Sequence, residues 1–217
     1  MNAVLGLDTS TVVAAGLAVT GREPTHVAVD DTRAHAEELM PLVRRLLDDG
    51  GLTTAALTGI AVGVGPGPFT GLRVGVVTAL TLGEVLGVPV RGVCSLDVVA
   101  AQWAGSGRSP REFVVVSDAR RREVYWARYA GGARVDGPHV TAPGHVPPLP
   151  LAGPGAHLVG EPSGPTGLDA GILAAHGFDL PDAGHEPLYL RRPDADVPRA
   201  PKSALPQARL SFGGPRG

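Results

Sequence analysis

The sequence predicts a mixed α/β protein whose second half is thinner than its first. Three observations point there. Short β-rich runs alternate with helix-length segments through the first hundred residues. A phrase made of an apolar strand, an Asp, a polar turn and a second strand occurs at 4–21 and again from 113. From Pro138 onward the chain becomes rich in proline and glycine and poor in large apolar groups. The repeated phrase is short, so chance similarity and true duplication both stay open.

The elements follow in order. Residues 3–8 read as a strand ending on the carboxylate of Asp8, and 12–19 as a second strand. A turn over 21–24 leads to a third at 25–29, giving an antiparallel meander. A helix is expected from about 34 to 49, closed by Gly50-Gly51, with Pro41 inside it at the cost of a hydrogen bond. Residues 59–64 read as a buried strand. The loop Gly65-Pro66-Gly67-Pro68-Phe69-Thr70-Gly71 leads into a helix over about 70–86. A strand at 88–93 precedes a helix that Ser95 is expected to cap, ending near 104. The second half offers strands at 113–118 and 123–129 and a weak helix at about 168–176. The division expected is 1–105 for the first lobe and 106–192 for a reduced second lobe, with 193–217 a flexible tail.

Composition narrows the function classes. Lys and Arg number 19 against 21 Asp and Glu, so the net charge of -2 excludes a surface devoted to nucleic acid or anionic membrane, though not a local basic patch. Apolar residues at 43% argue against disorder throughout the 217 residues. The single cysteine, Cys94, excludes an internal disulfide and a cysteine-based zinc site. No basic and apolar leader of secretory type opens the chain, so a cytoplasmic protein is expected.

Asp8, Thr9 and Ser10 place a carboxylate and hydroxyls at a strand end. That arrangement can hold a hydrated metal and phosphates, or it can stabilise a hairpin. The loop at 65–71 fails the P-loop and dinucleotide patterns, and Pro66 and Pro68 remove two N–H donors from any phosphate cradle. Thr70 can cap the following helix, whose N-terminus keeps a partial positive charge. Large apolar residues surround helix 70–86 in almost every direction, so its far side needs a cover: the preceding helix or another subunit. No two histidines stand three or four residues apart, so no helix offers a histidine pair to a metal, and no nucleophile elbow is present. Arg120, Arg121 and Arg122 form the densest basic stretch, which reads either as solvated turn arginines or as a contact for an RNA backbone.

Gly65-Pro66-Gly67-Pro68-Phe69-Thr70-Gly71-Leu72-Arg73-Val74-Gly75 resembles the signature loop and helix of the TsaB (YeaZ) family. His35-Ala36-Glu37-Glu38-Leu39-Met40-Pro41-Leu42 resembles its first helix, and Leu5-Gly6-Leu7-Asp8-Thr9-Ser10-Thr11 its opening strand. Asp118-Ala119-Arg120 with Glu123-Val124-Tyr125 resembles the opening of its second half, and Pro187-Leu188-Tyr189-Leu190-Arg191 its C-terminal motif. Pro68 departs from the family, which usually has Ser there. The resemblance implies duplicated actin/hexokinase-like (ASKHA, ribonuclease-H-like) α/β lobes, the second one reduced. It also implies a non-catalytic subunit of the complex that puts threonylcarbamoyl on tRNA adenosine beside the anticodon. Such a subunit pairs with a TsaD-like catalytic paralogue, is joined by a TsaE-like ATPase, meets tRNA through the complex, and forms a homodimer when alone. ATP and metal then belong to the partners and no cofactor to this chain.

On this reading the partner interface comprises Ala36, Leu39, Met40, Val43 and Leu47 of the first helix and Leu72, Arg73, Val76, Val77 and Leu80 of the second. Asp8, Thr9, Ser10 and Thr70 are nucleotide-binding or structural turn residues. The competing reading is an ATP-binding transferase of the same superfamily acting alone, with phosphates held by residues 8–11 and the loop. A glycoprotease has the least support, because no metal pair or catalytic Cys/His arrangement is visible.

Overall fold

The computed structural model describes residues 2–29 and 35–191, and the side chains of the first helix from Glu38 on. The side chain of Ala36 and the tail expected at 193–217 lie outside what is described. The first sheet contains β1 (Ala3–Asp8), β2 (Val13–Val19), β3 (Thr25–Val29), β4 (Leu57–Gly63) and β5 (Val90–Val93), in the spatial order β3-β2-β1-β4-β5. β1, β4 and β5 run parallel, and β2 and β3 form the antiparallel meander. The second sheet contains β6 (Glu112–Asp118), β7 (Val124–Ala130), β8 (Ala133–Thr141) and β9 (Leu151–Ala152), in the order β8-β7-β6-β9. Its directions repeat those of the first: β6 pairs antiparallel with β7 and parallel with β9. The duplication is therefore real. This is the two-lobed ribonuclease-H-like, actin/hexokinase-like fold, and among the described residues the second copy has four strands against the first copy's five.

The described residues also form the α-helices α1 (His35–Asp49), α2 (Phe69–Leu86), α3 (Ser95–Gly105) and α4 (Ala170–His176). Alternation along the strands decides what covers each face. Leu5, Leu7, Ala15 and Leu17 point to one side and pack with Leu39, Leu42, Val43, Leu46 and Leu47 of α1. Gly6 and Gly16, paired across β1 and β2, point to the other side. A Cβ on Gly6 would lie 2.3 Å from the Ala170 carbonyl oxygen, and one on Gly16 2.1 Å from it. Glycine at both positions lets α4 lie directly on the sheet. α4 comes from the C-terminal half, yet it covers the N-terminal sheet. Asp169 caps it, accepting from the Gly171 N–H at 2.7 Å, and the Ala170 N–H donates to His26 Nδ1 at 3.1 Å.

α3 lies between the lobes. Its Trp103 meets Phe113 at 4.7 Å between ring centroids, and Phe113 stacks on Tyr129 at 5.4 Å. β9 and the end of β8 fall in the proline- and glycine-rich stretch that begins at Pro138. Gly137-Pro138 interrupts β8, and β9 is only two residues long, so neither shows a clean alternating pattern. Ser95 does not cap α3, because its hydroxyl is taken up elsewhere. Thr70 does not cap α2 either: Pro68 holds the cap position and Thr70 is exposed in the first turn.

The glycine seat gives a direct expectation. Gly16→Ala forces a methyl into the backbone of α4 and should lower unfolding free energy by about 2–3 kcal/mol in a urea titration. Unchanged stability would show that α4 does not rest there.

Candidate functional site

β1 delivers Asp8 to the point where the first turn, the loop at 65–71 and α3 meet. Its carboxylate is buried and fully engaged. Oδ1 accepts from the Ser10 N–H at 2.8 Å and the Ser10 hydroxyl at 2.7 Å, while Oδ2 accepts from the Ser95 hydroxyl at 2.6 Å. Ser95 Oγ in turn accepts from the Gly65 N–H at 3.2 Å, and the Ser95 N–H donates to the Gly65 carbonyl at 2.8 Å. Burial pushes the Asp8 carboxyl above its ordinary range, and the bonds from Ser95 and Ser10 pull it back down. Gly63 must lack a side chain, since a Cβ there would fall 1.7 Å from Asp8 Oδ2.

Thr9 performs a second tie. Its hydroxyl donates to the Gly71 carbonyl at 2.7 Å and accepts from the Gly75 N–H at 3.2 Å. Those groups stand four apart in α2, so the hydroxyl enters the helix ladder between a carbonyl and its usual partner. Gly67 packs on Ser10: a Cβ there would lie 2.6 Å from the Ser10 carbonyl oxygen. The turn and the loop are thus packed on each other. Between the lobes, where Ser10, Thr11 and Pro66 face Ser117 and Pro154, the cavity measures about 10 Å³. That is room for roughly one water molecule. Asp8, Thr9 and Ser10 are brought together by these bonds, and Thr70 stands apart from them on the outside of α2.

The matching turn of the second lobe is different. Asp118 is half exposed and turns back on its own loop, with Oδ1 accepting the Arg120 N–H at 2.6 Å and Oδ2 lying 3.4 Å from Arg120 Nη1. Arg120, Arg121 and Arg122 all take left-handed backbone, with φ of 62°, 52° and 64°. For residues with a Cβ this costs about 1–2 kcal/mol each. No group of three or more His, Cys, Asp or Glu residues able to hold a metal occurs among the described residues. Cys94 is buried, and desolvation pushes its thiol up to about 12, which leaves it without the thiolate that a nucleophile requires.

The outward face of the α1–α2 pair is where the structure leaves apolar surface uncovered. α2 is long and apolar enough by composition to cross a membrane, but it is a core helix seated on β4. Gly71, Gly75, Ala79 and Gly83, spaced by four, are buried on its inner side. A Cβ on Gly83 would lie 2.3 Å from Val90 Cγ2, so the row must stay small for the helix to reach the sheet. Large residues are displaced outward: Val77 is 59% exposed, Leu80 36% and Val85 75%, with Met40 of α1 at 44%. Leu39, Val43, Leu47, Leu72 and Val76, expected at the partner interface, are buried within the chain itself. Met40, Arg73, Val77 and Leu80 remain available. Sequence reasoning missed Val85, because an all-round apolar helix does not show which stripe faces out.

The C-terminal motif docks at the same end of α2. Tyr189 stacks on Phe69 at 4.8 Å, and Arg73 lies 3.9 Å over the Phe69 ring while its Nε donates to Tyr189 Oη at 3.0 Å. The Leu188 N–H donates to the Val64 carbonyl at 2.7 Å. Arg191 reaches the second lobe, where it pairs with Glu123 and donates from Nη1 to the Ala119 carbonyl at 3.0 Å.

Comparison with known proteins agrees with this architecture. The profile of the family described as TsaD, tRNA N6-adenosine threonylcarbamoyltransferase, matches residues 26–147, more than half of the chain. An uncharacterized Mycobacterium tuberculosis protein is 46% identical over 211 residues, which cover 90% of this chain and 94% of the relative. The Bacillus subtilis tRNA threonylcarbamoyladenosine biosynthesis protein TsaB is 37% identical over 130 residues, 58% of this chain and 54% of the relative. The solved structure of YeaZ from Pseudomonas aeruginosa superposes with a TM-score of 0.71 at 28% identity, covering 88% of this chain and all of the other.

Two outcomes test the structural reading of the buried groups. Asp8→Ala orphans three donors and should destabilise the fold by about 2–4 kcal/mol in chemical denaturation; unaltered stability would return Asp8 to a ligand-binding role. Cys94 should resist iodoacetamide at pH 8 until the protein is unfolded, and rapid labelling of the native chain would refute its burial.

Proposed function

The chain belongs to the TsaD/YeaZ-like family, and on that premise we propose that it is a non-catalytic scaffold subunit of the complex that installs threonylcarbamoyl on tRNA adenosine. It pairs with a TsaD-like catalytic subunit and a TsaE-like ATPase in the cytoplasm, forms a homodimer when alone, and leaves ATP and metal to its partners. One observation carries this reading: Val77, Leu80 and Val85 stand exposed on the outside of α2 beside Thr81 and Glu84, and Met40 is exposed on α1, with no part of the described chain covering them. Surfaces of this kind mark association sites more often than they mark solvent-facing helices. Arg73 and the aromatic pair of Phe69 and Tyr189 extend this surface at its N-terminal end and add the residue types that anchor interfaces.

The transferase acting alone has less to stand on. Its phosphate site would be built from Asp8, Thr9, Ser10 and the loop, all of which spend their polar groups on each other around a cleft of about 10 Å³.

Substitutions on the two sides of α2 separate association from folding. Val77→Glu and Leu80→Glu each place a charge in the contact and should weaken binding to a TsaD-family partner by about 3 kcal/mol or more, more than a hundredfold, in size exclusion and calorimetry. Their melting temperatures should stay at the parent value, whereas Val76→Glu should unfold the protein because Val76 is 3% exposed. Full binding by both outer variants would remove α2 from the interface.

A further inference from the structure

We propose that the cavity between α3, the β7–β8 turn and the segment after α4 binds a small planar molecule through a neutral N–H or O–H donor that Asp97 accepts. The cavity holds about 630 Å³, which lies in the range of small-molecule sites. It sits at the opposite end of β7 from the Asp118 turn and shares no lining residue with the small space beside Ser10.

The first observation is the state of Asp97, which lines the cavity and is only 4% exposed. Its Oδ1 accepts from the Tyr129 hydroxyl at 2.7 Å, and Arg134 Nε stands 3.5 Å from the same oxygen. Oδ2 is buried with no hydrogen-bond partner among the described residues. Asp8 is just as buried, yet both of its oxygens are satisfied by the chain's own donors. A buried carboxylate oxygen left without a donor is costly, so the missing donor at Asp97 comes from outside the chain. Arg134 already balances the Asp97 charge, and a second cation placed beside that guanidinium would be repelled. The donor that fits is therefore neutral. Rotation about χ2, a soft torsion for an aspartate, turns Oδ2 toward the cavity without moving α3.

The second observation is shape. Asp97, Ala101 and Ala104 recur along one face of α3 and form a wall about 10 Å long. Gly131, Gly132 and Ala133 of the β7–β8 turn also line the cavity. The helix and the turn approach each other at one end, where a Cβ on Gly132 would lie 3.7 Å from Ala104 Cβ. With such small side chains on both, the space between them is a slot that admits a flat ring, its donor edge at the Asp97 end. Leu180 and Pro181 add apolar lining, and His176 and Asp179 supply polar groups for a ring substituent.

The test titrates indole and N-methylindole into the full chain and follows backbone amide shifts by NMR. Burial raises the Asp97 carboxyl above its ordinary range while the Tyr129 bond and Arg134 pull it down, so the titration is run at pH 8 to keep the acceptor ionised. Indole has a flat apolar body and one neutral N–H donor; N-methylindole carries a methyl in place of that hydrogen. Indole should saturate with a Kd of about 1 mM or below, within reach of a fragment of its size. It should move the amides of Ala101, Ala104, Gly131 and Gly132. N-methylindole should bind about tenfold more weakly, the loss of one hydrogen bond to a charged acceptor. Asp97→Asn keeps an acceptor for Tyr129 and puts an amide N–H donor in place of Oδ2. It should melt near the parent temperature and bind indole about tenfold more weakly. Ala101→Leu fills the slot from a half-buried position and should abolish the shifts, which keeps the test decisive if the Asn variant unfolds. Equal binding of the two indoles overturns the proposal, as do shifts confined to the exposed face of α2. Absence of saturable indole binding also overturns it and leaves water as the donor to Oδ2. None of these readouts needs a partner subunit, so the scaffold reading stands or falls separately.

Discussion

The closeness of α2 to the first sheet governs most of what this molecule can do. Gly71, Gly75, Ala79 and Gly83 allow that approach, and the Thr9 hydroxyl fills the space that a side chain on Gly75 would take, 2.4 Å from its Cβ position. A helix brought this near by small residues has to carry its bulk on other faces. Leu72 and Val76 find cover toward α1 and the core, but Val77, Leu80 and Val85 do not. The outward apolar stripe is thus a geometric consequence of the inward small one. Enlarging the inner row to save the outer surface would lift the helix and break the tie to the turn.

The two strand–Asp–turn units show how one design can be put to opposite uses. In the first lobe the turn residues are Thr9 and Ser10, short hydroxyl side chains that can fold back onto Asp8 and α2 and be buried with them. In the second lobe the turn residues are three arginines, which cannot be buried together, and the Asp118 turn stays at the surface. The same backbone plan gives an internal clasp in one copy and an exposed cationic knuckle in the other. Side-chain size and charge decide which.

Much of the first lobe was legible because its signals are local. Strand alternation in 3–8 and 12–19, the double glycine after α1 and the length of the apolar run in α2 each act within one element. The partition of α1 and α2 into inner and outer faces was not legible. Leu39, Val43 and Leu47 have the same hydropathy whether they meet a partner or their own sheet, and only the packing of α1 on β2 decides. Ser95 and Thr70 stand where caps are common, yet the buried Asp8 carboxylate claims the first and Pro68 pre-empts the second. β9 was hidden for a different reason: two residues pair with β6 because the neighbouring loop delivers them there, and no propensity can act over so short a stretch. The placement of α4 against Gly6 and Gly16 depends on contacts between residues more than 150 positions apart, which no window of sequence contains.

Sealing the junction of the first turn and the loop and opening the α2 face are two effects of one arrangement. Thr9, Ser10, Gly67 and Ser95 draw the turn, the loop and α3 together, and the same contacts leave about 10 Å³ where the turn and loop face Ser117 and Pro154. Those contacts also set the start of α2, whose first turn receives Tyr189 of the C-terminal motif on Phe69 and Arg73. That motif ends on Arg191, bonded into the second lobe at Ala119 and Glu123. The strap therefore joins the outer stripe of α2 to the arginine turn through a short run of covalently linked, hydrogen-bonded residues. Loosening the inner packing to admit a ligand would disturb the helix start, the strap and the second-lobe turn together. The strap thus places apolar surface and cations at the two ends of one hydrogen-bonded connection.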